Sequence, residues 1–362
     1  MRVMHLIESL EFGGAEKVVI DLANAMAARH TVVVCCVKKL GDLRNAVRAD
    51  IPVLCLGKGE GNDWRVPFRL RDLMREHRIE VLHSHNWGVF LEGALAAWLS
   101  PGVVLVNTVH GPYMDYAPGW TSRFKQRARH LLERIASWRY RAVVLVSDAI
   151  AAYIARDIGI ANARLTTIRN GIAALDVSRV ERREDGVRFI TVGRLAEVKN
   201  QAMVIRAFHD AGCKDAELWI AGDGPERANL EQLSSDLGLT GRVRFLGFCD
   251  DVTPHLAQCD IFVMSSHYEG ISIAVLEAMR AGLPVLGTDV GGMRETVEPG
   301  HTGELVPAGG VDALAACMRR VAASSSERQR LGTAGRAKML REFSMENMVG
   351  RYEELYKKPL PE

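Results

Sequence analysis

A chain of 362 residues is too long for one small module and sets an expectation of two domains, while 48% hydrophobic and 25% charged residues, with 33 glycines and 12 prolines, exclude disordered and fibrous classes. The net charge of +2 hides an asymmetry. Residues 1–172 carry 23 basic against 16 acidic side chains and the remainder 23 against 28, so the halves stand at +7 and -5, which predicts a boundary near 172 and an anionic partner for the first half.

In chain order, the apolar run Val3–Ile7 predicts a first strand, and Glu11-Phe12-Gly13-Gly14-Ala15-Glu16 a loop running into a helix over Lys17–Ala27. Thr31–Val37, Val81–Ser84, Val103–Val109 and Val143–Ser147 continue a β-strand, helix, β-strand rhythm. His83-Ser84-His85 puts two imidazoles on one strand face, but with no Cys or carboxylate nearby in sequence they are read as structural rather than metal-binding. Gly119–Arg141 carries Arg123, Lys125, Arg127, Arg129, Arg134, Arg139 and Arg141 against one acid, Glu133, with Phe124, Leu131, Leu132, Ile135 and Trp138 at helical spacing. That pattern suits either a basic amphipathic helix on anionic lipid or a domain helix with its apolar side in the core.

After Arg169-Asn170-Gly171 and the charged stretch Ser178–Asp185 the rhythm restarts, with strands over Arg188–Val192, Glu217–Ala221, Val243–Leu246, Ile261–Met264 and Pro284–Thr288. Two doubly wound α/β domains are therefore expected, joined by a linker near 172–186, with a closing amphipathic helix over Met345–Tyr356. Apolar runs such as Val32–Val37 fall far short of the roughly 20 residues needed to span a bilayer. With no signal peptide recognisable and seven scattered cysteines lacking a Cys-x-x-Cys pair, a reducing cytoplasmic setting is expected.

The chemistry concentrates in the second half. Arg194 and Lys199 follow its first strand, where open α/β sheets bind ligands, and two cations there can neutralise a departing diphosphate without a metal. From Ser265 to Gly282 the chain reads strand, loop, helix, glycine stop, with Ser272 as cap and Gly282 before Pro284 as terminator. Glu277 is the one acid in an apolar helix from Ile273 and needs hydrogen-bond donors around it. Glu269 lies before that helix, and counting 1.5 Å per residue places the two carboxylates about 12 Å apart, the span of a diphosphate seated on a helix N-terminus. Gly222-Asp223-Gly224 lacks a third glycine and is read as a tight turn, and no Asp-x-Asp triplet is present to hold a metal on a diphosphate.

Taken together, Gly13-Gly14-Ala15-Glu16, His110-Gly111, Asn170-Gly171, Gly193-Arg194 with Lys199-Asn200, Gly222-Asp223-Gly224-Pro225, the Glu269 and Glu277 pair, and Gly291-Gly292-x-x-Glu295 resemble the GT-B glycosyltransferases of family 4 over nearly the whole chain. The resemblance implies two Rossmann-like domains facing across a cleft. Residues 1–172, with 345–362 crossing back, would form the acceptor side, and 173–344 the nucleotide-sugar domain. It also implies retaining, metal-independent transfer of a hexose-type sugar to a glycan or lipid-linked acceptor in cell-surface polysaccharide biosynthesis. A UDP-sugar is the first candidate donor and a GDP-sugar the second.

By the same resemblance Arg194 and Lys199 hold the diphosphate, Glu277 takes the ribose hydroxyls, and Glu269 with the backbone of Gly270, Ile271 and Ser272 orients the donor sugar. Gly13 and Gly14 approach the donor phosphate, His110 meets the transferred sugar, and Phe248 lies near the base. Ile271-Ser272 stand where the family often has Phe-Gly, which changes pocket shape rather than reaction. No cofactor, bound metal or nucleic-acid partner is expected, and the expected location is cytoplasmic, with peripheral contact at the inner face of the plasma membrane if Gly119–Arg141 is the lipid-bound helix rather than a domain helix. The rival readings are a nucleotide-sugar epimerase on the same architecture and a nicotinamide-dependent oxidoreductase, the latter lacking its Gly-x-Gly-x-x-Gly opening.

Overall fold

Parallel strands covered on both faces need near-continuous apolar runs rather than alternation, and the runs singled out above meet that requirement. The computed structural model describes residues 1–11, 13–61, 63–111, 120–176 and 186–358. Phe12 of the first glycine loop, Gly119, the charged stretch Ser178–Asp185 within the linker expected near 172–186, and residues 359–362 lie outside the described residues. The chain divides into two compact units, one of Met1–Asn170 with Met345–Glu362 and one of Gly171–Ser344.

The first unit holds strands β1 (Arg2–Ser9), β2 (Thr31–Lys39), β3 (Val53–Cys55), β4 (Val81–His85), β5 (Val104–Val109), β6 (Ala142–Leu145) and β7 (Leu165–Thr167). They form one parallel sheet in the order β3-β2-β1-β4-β5-β6-β7. The second unit holds β8 (Arg188–Val192), β9 (Glu217–Ala221), β10 (Val243–Gly247), β11 (Ile261–Met264), β12 (Val285–Thr288) and β13 (Gly303–Val306), ordered β10-β9-β8-β11-β12-β13, also parallel. Three strands were not anticipated from sequence, β3, β7 and β13, and all three are sheet edges. Edge strands are short and need no long apolar run, which removes the signal that marks their neighbours.

Each sheet reverses its strand order once, between β1 and β4 in the first unit and between β8 and β11 in the second, and in open α/β sheets the strand ends at such a point are where ligands bind. The second core packs Phe189, Val204, Phe208, Leu218, Ile220, Ile261, Val263, Leu286 and Leu314 at full burial. Each such side chain contributes about 1.5–3 kcal/mol by leaving water. Among the described residues no helix is long and apolar enough to cross a membrane.

Two local expectations change. The first helix runs Gly14–Met26 with Gly13 as its N-cap, so the paired glycines form the helix entry itself rather than a loop ahead of Lys17. The basic stretch forms a helix over Trp120–Ala136 and a 3-10 turn over Ser137–Arg139. The side chains of Arg123, Phe124 and Lys125 lie outside the described residues, but the remainder of this helix is inverted relative to a domain helix. Its acid, Glu133, is 2% exposed and accepts from Arg129 Nε at 2.8 Å, whereas Leu131, Leu132, Ile135 and Trp138 point into solvent, Trp138 at 75% exposure.

The closing helix Met345–Lys357 belongs to the first unit and meets a cluster of buried imidazoles. His5 on β1 pairs in register with His83 on β4 and shares its face with His85. His83 Nδ1 lies 2.7 Å from Tyr356 Oη and its Nε2 2.7 Å from Thr108 Oγ1, which in turn lies 2.8 Å from Tyr352 Oη. Burial holds these rings neutral: His5 is pushed down to about 3 and His110 to about 4, and His83 and His85 well below the ordinary value of 6.5. Below that ordinary value the unfolded chain takes up protons that the folded one refuses, so stability falls as pH falls. Four neutral imidazoles predict that urea unfolding of the whole chain loses about 5 kcal/mol between pH 6 and pH 5. A loss below about 1 kcal/mol would show that the folded cluster accepts protons.

Candidate functional site

In the second unit the loops after β8, β11 and β12 are bonded to one another. Lys199 Nζ donates to Glu269 Oε1 at 2.6 Å, and Ser266 Oγ donates to the same oxygen at 2.5 Å. Ser265 Oγ donates to the carbonyls of Lys199 and Asn200 at 3.2 and 2.7 Å, and the His267 amide donates to the Val198 carbonyl at 2.8 Å. From the third loop, the Gly292 amide donates to the Glu269 carbonyl at 3.0 Å, while Thr288 Oγ1 donates to the Ser266 carbonyl at 2.6 Å. Gly291 has φ +49°, and a Cβ there would stand 1.9 Å from the Glu269 carbonyl oxygen. The close approach of two loops thus accounts for the glycine pair at 291–292.

Lys199 and Glu269 are therefore brought together at the switch point of the second sheet. Arg194 is exposed in the same β8 loop, its carbonyl accepting from Gln201 Nε2 at 3.0 Å. The β8 loop is held from its other side, since the Leu195 amide donates to the Asp223 carbonyl at 2.9 Å and a Cβ at Gly222 would lie 2.0 Å from the Gly193 carbonyl oxygen. Gly222-Asp223-Gly224 is accordingly a tight turn into the helix Arg227–Asp236. Phe248, just beyond β10, is half exposed and lies at the sheet edge two strands from β8.

The helix after β11 runs Ile273–Arg280 and is buried along nearly all its length, Glu277 included at 7% exposure. Two corrections apply here. Ser272 occupies the N-cap position, but its side chain makes no capping bond, so the first-turn amides are not served by it. Glu277 is the fifth residue of the helix and residues 269–272 are not helical, so the separation counted at 1.5 Å per residue from Glu269 does not hold. Only the rise from Ile273 to Glu277 follows helical spacing, about 6 Å. The helix ends in a Schellman motif, with Gly282 at φ +70° and the Leu283 amide donating to the Ala278 carbonyl at 3.0 Å.

In the first unit Gly13 and Gly14 follow β1, and a Cβ at Gly14 would meet nothing within 4 Å. His110 follows β5, its amide donating to Asn86 Oδ1 at 3.1 Å. Asn86 sits at φ +63°, a conformation that costs a non-glycine residue about 1–2 kcal/mol, and neither it nor His5 was singled out from sequence. Their signal is tertiary: His5 is one polar residue in an apolar strand until β4 is laid beside it. His83 and His85, read from sequence as structural, are joined by His5, and one nitrogen from each of the three lies within 4.8 Å of the others. Both His83 nitrogens already face hydroxyls at 2.7 Å, and His5 Nδ1 faces His85 Nε2 at 3.0 Å, so a metal would displace existing hydrogen bonds.

The family profile Glycosyl transferases group 1 matches residues 176–338, and that of Glycosyltransferase Family 4 matches residues 12–174. The chain is 31% identical over 373 residues to the lipopolysaccharide core biosynthesis glycosyltransferase LpsD of Rhizobium meliloti, covering 98% of both chains. LpsE of the same organism is 35% identical over 184 residues, 51% of this chain and 54% of that protein, so the match spans about half of LpsE. Anabaena Alr3699/HepE, solved in complex with UDP, superposes with a TM-score of 0.83 at 21% identity, over 98% of this chain and 99% of that one. The two Rossmann-like sheets are those of a GT-B fold, and the chain belongs to the group 1 glycosyltransferases of family 4.

Proposed function

We propose that this protein transfers a hexose-type sugar from a nucleoside diphosphate donor to a glycan or lipid-linked acceptor in cell-surface polysaccharide biosynthesis, with retention of configuration and without a metal. The observation that carries the reading is Lys199 Nζ on Glu269 Oε1 at 2.6 Å, placed at the switch point beside the amino end of the buried helix that holds Glu277. A cation there offsets charge that grows on the departing diphosphate, and the uncapped first-turn amides supply further donors. Arg194 in the same loop adds a second positive charge. Glu277 accepts from ribose hydroxyls, Glu269 and the backbone of Gly270, Ile271 and Ser272 orient the sugar, and Gly13 and Gly14 admit a phosphate closely. Phe248 lines the base and His110 meets the sugar.

A UDP-sugar is the first donor to test and a GDP-sugar the second, because Anabaena HepE has been solved with UDP and with UDP and glucose. The acceptor class follows LpsD and LpsE, whose names place them in lipopolysaccharide core biosynthesis. Incubating the full chain with a nucleotide-sugar panel and a membrane lipid extract tests the reading, and an absence of any transferred sugar would sink it. Glu277→Gln is expected to raise the donor Kd about tenfold or more while leaving the melting temperature nearly unchanged, since an amide accepts poorly from two hydroxyls. An unchanged Kd would remove Glu277 from the site. Transfer is also expected to survive EDTA, because the cations and the lack of an Asp-x-Asp triplet leave no place for a metal on the diphosphate. Activity lost on chelation and restored by magnesium or manganese would refute that.

The inverted helix supports a further reading, peripheral contact with an anionic membrane. Leu131, Leu132, Ile135 and Trp138 face solvent together with Arg127 and Arg134, the composition of an interfacial surface in which apolar side chains enter the headgroup layer and arginines meet lipid phosphates. Arg129 is excluded from that surface because it neutralises buried Glu133. Leu132→Ser with Trp138→Ser is expected to cut co-sedimentation with acidic vesicles severalfold at low salt while barely moving the melting temperature. Wild-type protein that stays in the supernatant under those conditions would overturn the membrane reading.

A further inference from the structure

We infer that His85 is a positioning residue: through a relay of three imidazoles, His5, His85 and His110, it fixes His110 as the tautomer that presents an Nδ1 hydrogen as donor. The inference rests on the proposed reading of His110 as the side chain that meets the transferred sugar. His5 Nδ1 lies 3.0 Å from His85 Nε2, and His85 Nδ1 lies 3.2 Å from His110 Nε2. The ring planes stand 29° and 26° apart with centroids 5.3 and 5.5 Å apart, the arrangement of nearly coplanar rings bonded edge to edge rather than stacked face to face. His83 packs on the face of His85 at 4.1 Å between centroids and is itself pinned by Thr108 and Tyr356, which opposes a flip of the His85 ring.

A neutral imidazole carries one N–H and one lone pair, so in each ring-to-ring contact one nitrogen donates and the other accepts. The relay then has only two polarities. In one, every Nε2 carries the hydrogen, and His5 Nε2 becomes a donor with no partner in the core. In the other, every Nδ1 carries it, His5 Nε2 is a bare lone pair, and the unpaired donor moves to His110 Nδ1. Among the described residues, both terminal atoms, His5 Nε2 and His110 Nδ1, are buried without a hydrogen-bond partner. The two ends differ in what they can recruit. His5 is wholly enclosed in the sheet, whereas His110 stands in the loop at the end of β5 and is only partly buried, so the His110 end is the one a ligand could serve. A permanently orphaned N–H is the costlier defect, which selects the polarity directed at His110. An Nδ1–H held ready on His110 would donate to a sugar hydroxyl that reaches it, and the ring is fixed before the ligand arrives.

The test reads the tautomers in ligand-free, full-length protein labelled with 15N-histidine, by long-range 1H–15N correlation at pH 7, with His110 assigned by difference against His110→Gln. His110 is expected to carry its hydrogen on Nδ1 in the wild type and in His5→Phe, because removing His5 leaves the same choice of polarity to His85. His85→Phe is expected to release His110 into a tautomer mixture, and His85→Gln, whose amide can still donate, to restore the single form. A wild-type His110 protonated on Nε2, or a His110 unchanged in His85→Phe, would overturn the relay. If His85→Phe does not fold, a scalar coupling across the hydrogen bond between His85 Nδ1 and His110 Nε2, read on the wild type, decides, and its absence overturns the relay. Stoichiometric zinc binding that moves the His5 and His85 signals would also overturn it, in favour of a metal site. Because these spectra need no substrate, a wild type that transfers no sugar removes the proposed function and leaves the relay standing or falling by itself.

Discussion

The strand order of each sheet is the constraint on which the remainder depends. Where a parallel sheet begins in its middle and winds outward both ways, the chain leaves two adjacent strands toward opposite faces, and ligands of open α/β sheets bind at those strand ends. In the second unit those loops carry Lys199 and Glu269, seventy residues apart, and join them through one oxygen that also accepts from Ser266. In the first unit the corresponding strands carry His5 and His85, with the glycine entry at Gly13 and Gly14 directly beyond β1. Placing polar side chains at these two points costs little packing, because the sheet cores are completed by other residues.

Polar groups inside the first sheet bond mostly to one another, although His5 Nε2 has no partner among the described residues. His5, His83, His85, Thr108, Tyr352 and Tyr356 are buried, and the closing helix supplies two hydroxyls to the network. A buried imidazole left charged and alone would be expensive, so burial drives each ring neutral and hydrogen bonding then fixes which nitrogen donates. The closing helix is thereby tied to the sheet by specific bonds, supplemented by Glu353, which accepts from His30 Nε2 at 2.7 Å, and by Arg141, which donates to the Tyr356 carbonyl at 2.6 Å.

The helix Trp120–Ala136 shows how charge can reverse an amphipathic pattern. Spacing alone gives a stripe of large apolar side chains and leaves open which way it faces. The Arg129 and Glu133 bond, made on the buried side, commits the helix to expose Leu131, Leu132 and Ile135 instead. These exposed apolar side chains are the ones on which the proposed membrane contact rests.

Interior strands, the two-unit division and the helix stop at Gly282 were legible in the sequence because they rest on local signals: apolar runs, turn residues and a glycine able to adopt positive φ. Edge strands β3, β7 and β13 were not, since a strand paired on one side has no need of the same run. Among the site residues, Lys199, Glu269 and Glu277 could be singled out as charges in improbable places, but their spacing could not, because the helix begins four residues after Glu269. The roles of Asn86, Ser266, Thr288 and above all His5 were invisible. Each is an ordinary residue in its own segment and acquires a partner only when strands distant in sequence are laid side by side. The sequence by itself determined the interior strands, the alternation of strand and helix, and which charges stood out. Tertiary structure decided which of them meet, because strand order is set by how helices cover both faces of a sheet and not by any property of a single strand.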